Sequence, residues 1–261
     1  MKFLKKLLIL VLVLGLAATY ADEIVGIIRT ARYYLTAPDD LTRAERTVYS
    51  YAAAHGLSYG DYPASLIELL ERNPETEAFV LEYPNRDEST YDLSEYEDCD
   101  AVPLFLQWDQ RWGYETYGSD MIAITGCGPT CLAMVGYYLT GDDWYTPENV
   151  AQYSEDNGYY VPGSGTSWTL ISEGAVKLGF DVTEIPLTEK RIRDNLEVNN
   201  PIILSMGPGD FTTDGHYIVL TGLEDGLFRV NDPNSVENSG KLWSYEEIKD
   251  QIRNLWVIRK F

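Results

Sequence analysis

The order of helical and strand-like segments is the feature that most constrains the fold of this chain. Several short apolar segments are bounded by Gly, Pro, Asn or Asp, which is the pattern typical of strands. They span residues 102–107, 180–185, 201–205, 216–223, 227–231 and 255–258. Most of them lie in the last third of the chain, and helical patterns dominate before them. Because helices come first and strands cluster later, the sequence predicts an α+β fold.

The helices are predicted where apolar residues recur at helical spacing between capping signals. The segments are residues 41–55, 63–72, 129–139, 146–157, 167–178 and 244–252. Residues 22–98 are therefore expected to form a helical N-terminal region that ends in a polar, acidic linker, and residues 99–261 a second domain. Three roles stay open for the N-terminal region: an inhibitory segment, a platform for substrate docking, or structural packing.

Residues 1–21 have the three-part order of a secretory signal peptide. Three lysines precede a twelve-residue apolar run, and small residues follow it up to Ala21. A membrane-spanning helix needs roughly 20 apolar residues, so this run is short for a stable span. We therefore expect an exported protein, secreted or extracytoplasmic, with a retained N-terminal anchor as the alternative.

The charge of the chain limits its partners. The formal net charge is −21, and removal of the three lysines of the signal peptide makes it about −24. Such a surface repels phosphate backbones, which argues against nucleic acid as a partner. Two explanations of the charge stay open: solubility outside the cell, and a preference for basic substrates.

The segment from Gly126 to Thr130, Gly-Cys-Gly-Pro-Thr, is the most specific motif. A thiolate is a strong nucleophile, and its formation is favoured at a helix N-terminus. Pro129 suits the first turn of such a helix. Gly126 and Gly128 are expected to let substrate and backbone approach closely. We therefore predict Cys127 as a nucleophile whose backbone amide faces an oxyanion; a buried structural cysteine is the alternative.

A thiol nucleophile needs a base, and the chain has only two histidines. His55 ends a predicted helix, where a cation is favourable beside the dipole, so a structural role suits it. His216 stands at the start of a predicted buried strand, from which an imidazole can face a cleft. His216 is therefore the predicted base, with a structural histidine as the alternative.

The base in turn needs an orienting group. Asp232 follows the strand predicted at residues 227–231, which is expected to pair with the His216 strand through the turn at residues 224–226. Asp232 is the favoured third member, Asn231 is a close alternative, and a plain turn is the structural explanation. Gln107 is a weaker candidate for an oxyanion donor. Trp168 is expected to line a substrate groove.

The three cysteines leave a free thiol whenever one internal bridge forms. Cys127 and Cys131 are four residues apart and would share a helix face. A bridge from Cys99 to Cys131 would leave Cys127 free, and this pairing is a hypothesis. Two isolated histidines and no cysteine pair at ligand spacing give no zinc site, and no cofactor is expected.

Five motifs occur in order along residues 100–258. They are Gln107-Trp108-Asp109, Gly126-Cys127-Gly128-Pro129, Gly165-Thr166-Ser167-Trp168, Gly215-His216-Tyr217 and Asn231-Asp232-Pro233. The ordered set resembles the C-39-like branch of the papain-like cysteine peptidases, relatives of the bacteriocin-processing peptidases. The resemblance implies a papain-like α+β fold with an N-terminal helical extension, and a Cys-His-Asp triad of Cys127, His216 and Asp232. It also implies that Gln107 is the oxyanion glutamine.

The residues and the resemblance together predict an exported cysteine hydrolase that cleaves peptide bonds, or related amide bonds such as those of peptidoglycan peptides. Its expected partner is a peptide or protein substrate. Two alternatives stay open: a catalytically silent binding module of the same fold, and an acyl transferase. The sequence does not specify the substrate or the oligomeric state.

Overall fold

A computed structural model of the chain describes residues 20–21, 23–28, 31, 37–86, 93–96 and 100–261. The predicted signal peptide lies almost entirely outside these residues, as do most of the predicted acidic linker and Cys99. The chain divides into two compact units, with the boundary between Arg86 and Asp87. No helix among the described residues is long and apolar enough to cross a membrane.

The first unit is helical. Among its described residues from 37 to 86, the α-helices are α1 (Arg43–His55), α2 (Ala64–Arg72) and α3 (Glu77–Glu82), and short 3₁₀ turns lie at Tyr59–Asp61, Pro74–Thr76 and Tyr83–Asn85. Thr42 caps α1 in a capping box with Glu45, and Gly56 ends it in the left-handed conformation. Apolar residues of α1 and α2 are buried, among them Val48 and Leu66. The helices predicted at residues 41–55 and 63–72 thus appear as α1 and α2 with nearly the predicted bounds.

The second unit is built on a six-stranded antiparallel sheet with strand order β5-β10-β6-β7-β8-β9. The strands are β5 (Phe180–Glu184), β6 (Ile202–Met206), β7 (His216–Glu224), β8 (Leu227–Asn231), β9 (Leu242–Trp243) and β10 (Ile252–Lys260). Two small hairpins lie outside this sheet: β1 (Thr116–Tyr117) with β2 (Asp120–Met121), and β3 (Tyr160–Val161) with β4 (Gly165–Thr166). The strands predicted at residues 180–185, 201–205, 216–223, 227–231 and 255–258 are confirmed.

Helices cover both faces of the sheet. They are α4 (Ile122–Thr125), α5 (Cys127–Thr140), α6 (Pro147–Asp156), α7 (Ala175–Lys177), α8 (Glu189–Leu196), α9 (Val236–Gly240) and α10 (Tyr245–Ile248). A π-helical turn at Leu170–Gly174 precedes α7, and 3₁₀ turns lie at Ser94–Tyr96 and Lys249–Gln251.

Neighbouring residues of one strand belong to different cores. Ile203 and Val219 pack with α5, whereas Ile202 and Leu220 pack with Ile192 of α8. Successive side chains of a strand point to opposite faces, so a strand covered on both faces is continuously apolar. The layout is the α+β class that the sequence predicts, with helices N-terminal to it.

The prediction of a strand at residues 102–107 is wrong, because the structure shows this segment as irregular. Pro103 has no N–H to donate to a ladder. The carbonyls of Val102 and Pro103 instead accept hydrogen bonds from the side chain of Asn231, at 3.0 and 2.9 Å. The Gln107 N–H donates to the Pro233 carbonyl at 2.7 Å. The segment is therefore held beside the end of β8 without joining the sheet.

Candidate active site

The candidate site lies where β7 begins and β8 ends. His216 is the first residue of β7, and Asp232 follows the last residue of β8. The two strands form an antiparallel hairpin whose turn uses Asp225 and Gly226, both with positive φ. The hairpin therefore returns the chain so that the end of β8 lies beside the start of β7.

His216 and Asp232 form a buried hydrogen-bonded pair. His216 Nε2 and Asp232 Oδ1 are 2.7 Å apart. The two side chains are only 8% and 1% exposed. A buried carboxylate must be paired or hydrogen-bonded to offset its lost hydration, and His216 supplies part of that compensation.

Other donors complete the surroundings of the Asp232 carboxylate. The Asn234 N–H donates to Oδ1 at 2.9 Å, and Asn238 Nδ2 donates to Oδ2 at 2.8 Å. The Asp232 N–H donates to Ser239 Oγ at 2.9 Å. Both carboxylate oxygens and the backbone amide of Asp232 are thus engaged.

The Asn231 side chain points toward the segment that precedes Gln107 and not toward His216. Its Nδ2 donates to the carbonyls of Val102 and Pro103, and it lies 3.8 Å from the sulfur of Met134 in α5. Successive residues of an extended segment point to opposite sides. Of the two sequence candidates, therefore, Asp232 is the one beside His216, and Asn231 holds the irregular segment before Gln107.

Cys127 begins helix α5, as the sequence predicts for its candidate nucleophile. Gly126 is the N-cap residue. The Cys127 thiol is free and half-buried, and it lines the same cleft as His216. The first amides of a helix have no intrahelical acceptor and form the positive end of its dipole. This end of the helix therefore suits a negatively charged sulfur.

The surroundings of His216 favour its cationic form. Burial alone would lower the pKa of His216, because it disfavours the charged imidazolium. The charge of Asp232 and its hydrogen bond, together with hydrogen bonding to Cys127, outweigh burial and raise the pKa of His216 to about 10. His216 thus holds a proton between a carboxylate and a thiol.

Gln107 is buried next to the helix that precedes Cys127. Its Nε2 donates to the Ala123 carbonyl at 2.7 Å, which sets the orientation of the amide. Its Oε1 is buried with no hydrogen-bond partner among the described residues. The cleft is lined by other residues, so the oxyanion role of Gln107 stays a prediction.

A cleft of about 600 Å³ opens at Cys127 and His216. Short polar side chains and aromatic rings alternate around it; among them are Ser119, Thr125, Tyr160, Ser164, Thr166, Trp168, Ser205 and Tyr217. Trp168 is 47% exposed, and its Nε1 donates to Ser205 Oγ at 3.0 Å. Its ring packs edge to face against that of Trp256, with the ring centroids 5.9 Å apart. Trp168 is thus a fixed aromatic wall, and substrate contact by it stays a prediction.

The two glycines beside Cys127 permit close packing. A Cβ on Gly126 would lie 2.6 Å from Ile122 Cγ2, and one on Gly128 would lie 2.7 Å from Thr166 Cβ. Both distances are too short for a real side chain. Neither glycine is among the residues that line the cleft, so packing is the role that the structure assigns to them and substrate binding stays a prediction.

Sequence reasoning missed a hydroxyl network behind Cys127. Tyr117 Oη lies 2.9 Å from Thr166 Oγ1 and 2.7 Å from Ser154 Oγ. The Tyr217 hydroxyl donates to the Thr166 carbonyl at 3.3 Å.

Sequence reasoning also missed Asn238, whose side chain donates to Asp232. The only local signal for it was a polar residue soon after Asp232, which is too common to identify a partner.

The described cysteines are free thiols. Cys131 is fully buried one turn after Cys127, and burial raises its pKa well above the usual value. The Cys99–Cys131 bridge hypothesised from the sequence involves Cys99, which lies outside the described residues, so the pairing stays a hypothesis. Within residues 100–261 and the other described ranges, no group of three or more His, Cys, Asp or Glu side chains is placed to hold a metal ion.

Comparisons with known proteins match the second unit. The model of the family described as "Peptidase_C39 like family" matches residues 99–261, more than half of the chain. A search of curated protein sequences finds no match.

Two solved structures are similar. The peptidase domain of Streptococcus ComA, a bifunctional ABC transporter involved in a quorum-sensing pathway, is 24% identical with a TM-score of 0.40, and the match covers 52% of this chain and 93% of that one. A chain described as a C39-like peptidase from Bacillus anthracis is 12% identical with a TM-score of 0.39, with 61% and 95% covered. Similarities of this size carry no conclusion about function.

The raised pKa of His216 is directly measurable. We expect the imidazole ¹⁵N resonances of His216 to titrate with a midpoint near 10, well above the ordinary value of about 6.5. Because the folded pKa is the higher one, the proton on His216 stabilises the fold fully below pH 6.5, and this contribution declines as the pH rises through about 10. The chain has only one other histidine, so a His55→Gln variant assigns the spectrum. A His216 midpoint near 6.5 would mean that Asp232 and Cys127 do not act on the ring as described.

Proposed function

The chain belongs to the peptidase C39-like family, and from that premise we propose that it hydrolyses peptide bonds with Cys127 as nucleophile, His216 as proton carrier and Asp232 as the orienting carboxylate. The family and the mixed helix and sheet fold support a peptidase-type function.

One observation carries the proposal: an imidazole lies between a buried carboxylate and a thiol at the start of a helix. The 2.7 Å contact of His216 with Asp232 leaves the other ring nitrogen, Nδ1, for Cys127. A nucleophile, a base and an orienting group in hydrogen-bond contact are what acyl transfer requires. The cleft gives a peptide access to Cys127 and His216.

The first half-reaction forms a thioester. In the resting site the Cys127 proton is already on His216, and the thiolate sulfur attacks the carbonyl carbon of the scissile peptide bond. The carbonyl π electrons move to oxygen and give a tetrahedral oxyanion. As the carbonyl re-forms, the C–N bond breaks and His216 gives its proton to the departing amine. Asp232 stabilises the imidazolium throughout and holds its orientation.

The second half-reaction regenerates the enzyme. Water gives a proton to the now neutral His216 and attacks the thioester carbonyl. The second tetrahedral oxyanion collapses, the C–S bond breaks, and the peptide leaves as a carboxylic acid. The thiolate and the imidazolium are then paired again.

Two N–H groups suit the oxyanion. The backbone N–H of Cys127 lies in the first turn of α5, where amides have no intrahelical acceptor. Gln107 Nε2 carries two N–H groups, and Ala123 accepts from it; its second N–H is the proposed donor. Donors that are fixed before substrate binds stabilise an oxyanion without reorganisation.

We also propose that the protein acts outside the cytoplasm. The support is the order of basic, apolar and small residues in residues 1–21. N-terminal sequencing of the protein recovered from the medium or periplasm is expected to begin at Asp22. Recovery of the full-length chain from the cytosol alone would overturn export, and a membrane-bound chain that retains Met1 would indicate an anchor instead.

The proposed reaction is tested with a peptide library and two matched cysteine variants. Cys127→Ala removes the nucleophile and is expected to lower cleavage by at least about a thousandfold. Cys131→Ala removes a thiol one turn away that lies in the core, and it is expected to retain cleavage once folding is verified. Equal loss in both variants, or retained cleavage in Cys127→Ala, would contradict the assignment.

Product analysis separates hydrolysis from transfer to an amine. In H₂¹⁸O, hydrolysis places one ¹⁸O atom in the new carboxylate of each cleaved peptide. An acyl transferase would give an unlabelled amide instead. A folded protein that cleaves no library peptide and forms no thioester would support a binding module.

A further inference from the structure

The carboxylate oxygen of Asp232 that does not bond His216 accepts from a side-chain amide that belongs to no sequence motif. Asn238 Nδ2 donates to Asp232 Oδ2 at 2.8 Å, while Oδ1 accepts from His216 and from the Asn234 N–H. We propose that Asn238 is a positioning residue, which acts on His216 through Asp232. This inference rests on the proposed roles of His216 and Asp232 and deepens them.

The position of Asn238 is secured by its backbone. Asn238 lies in the short helix α9, and its N–H donates to Ser235 Oγ, the helix cap, at 3.1 Å. Its carbonyl accepts from Trp243 Nε1 at 3.0 Å. Ser239 Oγ ties the same helix to the Asp232 backbone. None of these contacts uses the side-chain amide of Asn238. A change of that side chain therefore tests its contact with Asp232.

A carboxylate needs such a second anchor to keep one oxygen on its partner. The terminal torsion of an aspartate is broad, and the bonds to Oδ1 alone leave Oδ2 free to turn. Asp232 is 1% exposed, so an Oδ2 without a donor would be a buried unsatisfied acceptor, which is costly. The hydrogen bond from Asn238 Nδ2 limits rotation of the carboxylate and also satisfies Oδ2.

The neutrality of the amide also matters for His216. A lysine or arginine at this place would neutralise the carboxylate and weaken its attraction for the imidazolium. An amide donates a hydrogen bond and leaves the negative charge of Asp232 to His216. Asn238 thus orients the carboxylate and preserves its effect on the ring.

Several titratable groups of the described part of the chain lie around His216. Asp232 and Cys127 act on it directly, and Asp214 lies two residues earlier at the cleft. Cys131 and Tyr217 are packed nearby, and burial raises the pKa of each. A change in the His216 midpoint in an Asn238 variant therefore reports on the Asp232 contact.

The experiment follows the His216 imidazole by ¹⁵N NMR in the full chain. In Asn238→Ala, water enters beside Asp232 and the carboxylate turns more freely, so its effect on the ring weakens. We expect the His216 midpoint to fall by about one pH unit, the equivalent of one hydrogen bond to a charged group. Val236→Ala, an exposed position on the same helix, is expected to leave the midpoint at its wild-type value.

A double-variant cycle separates positioning from a general structural role. In an Asp232→Ala background, adding Asn238→Ala is expected to change the His216 midpoint by less than about a quarter of its effect in the wild type, because the two residues act as one unit. If Asn238→Ala does not fold, Asn238→Ser is measured with the same expectations. An unchanged midpoint in the single variant, or an equal change in both backgrounds, would overturn the inference.

The outcome is independent of turnover. NMR titration needs no substrate, so a protein that cleaves no peptide would contradict the proposed function while the Asn238 measurement still decides the positioning role. Conversely, active enzyme with an unchanged midpoint in Asn238→Ala would leave the proposed function intact and remove Asn238 from it.

Discussion

The site depends on the pairing of a buried imidazole with a buried carboxylate. Each group would lose much of its hydration free energy on burial, and each compensates the other only when the geometry is close and the remaining polar atoms are bonded. Asp232 meets this condition because His216, Asn234 and Asn238 all donate to it. The energetic consequence appears on His216, where the attraction of Asp232 outweighs burial and the ring keeps its proton.

The sheet makes this pairing possible. β7 buries apolar side chains on both faces, and β8 buries Phe228 and Val230 on one face, so neither slides without exposing core side chains. The tight turn at Asp225 and Gly226 sets their register next to the turn, and an irregularity between Leu220 and Gly222 shifts it before the site. With the register set, His216 and Asp232 lie at the same end of the β7–β8 pair, and α5 brings Cys127 to that end. The polar site is therefore held by the surrounding apolar core.

Much of this could be predicted from the sequence, for physical reasons. Cys127 and His216 stand in short motifs whose local structure, a helix start and a strand start, follows from neighbouring residues. The choice between Asp232 and Asn231 required the direction of each side chain, which the structure supplies. The strand predicted at residues 102–107 was wrong because Pro103 and the Asn231 side chain replace ladder bonds. Asn238 was not predicted, because its bond to Asp232 depends on how α9 packs back onto the end of β8.

In the proposed mechanism, His216 makes Cys127 a reactive nucleophile in the folded protein. The most direct test is the rate at which iodoacetamide alkylates Cys127 at pH 7, followed by mass spectrometry in wild type and in His216→Ala. We expect alkylation of native wild type at Cys127 and not at buried Cys131, at a rate at least about tenfold above that of His216→Ala. Equal rates in the two proteins, or alkylation of Cys127 only after denaturation, would contradict it.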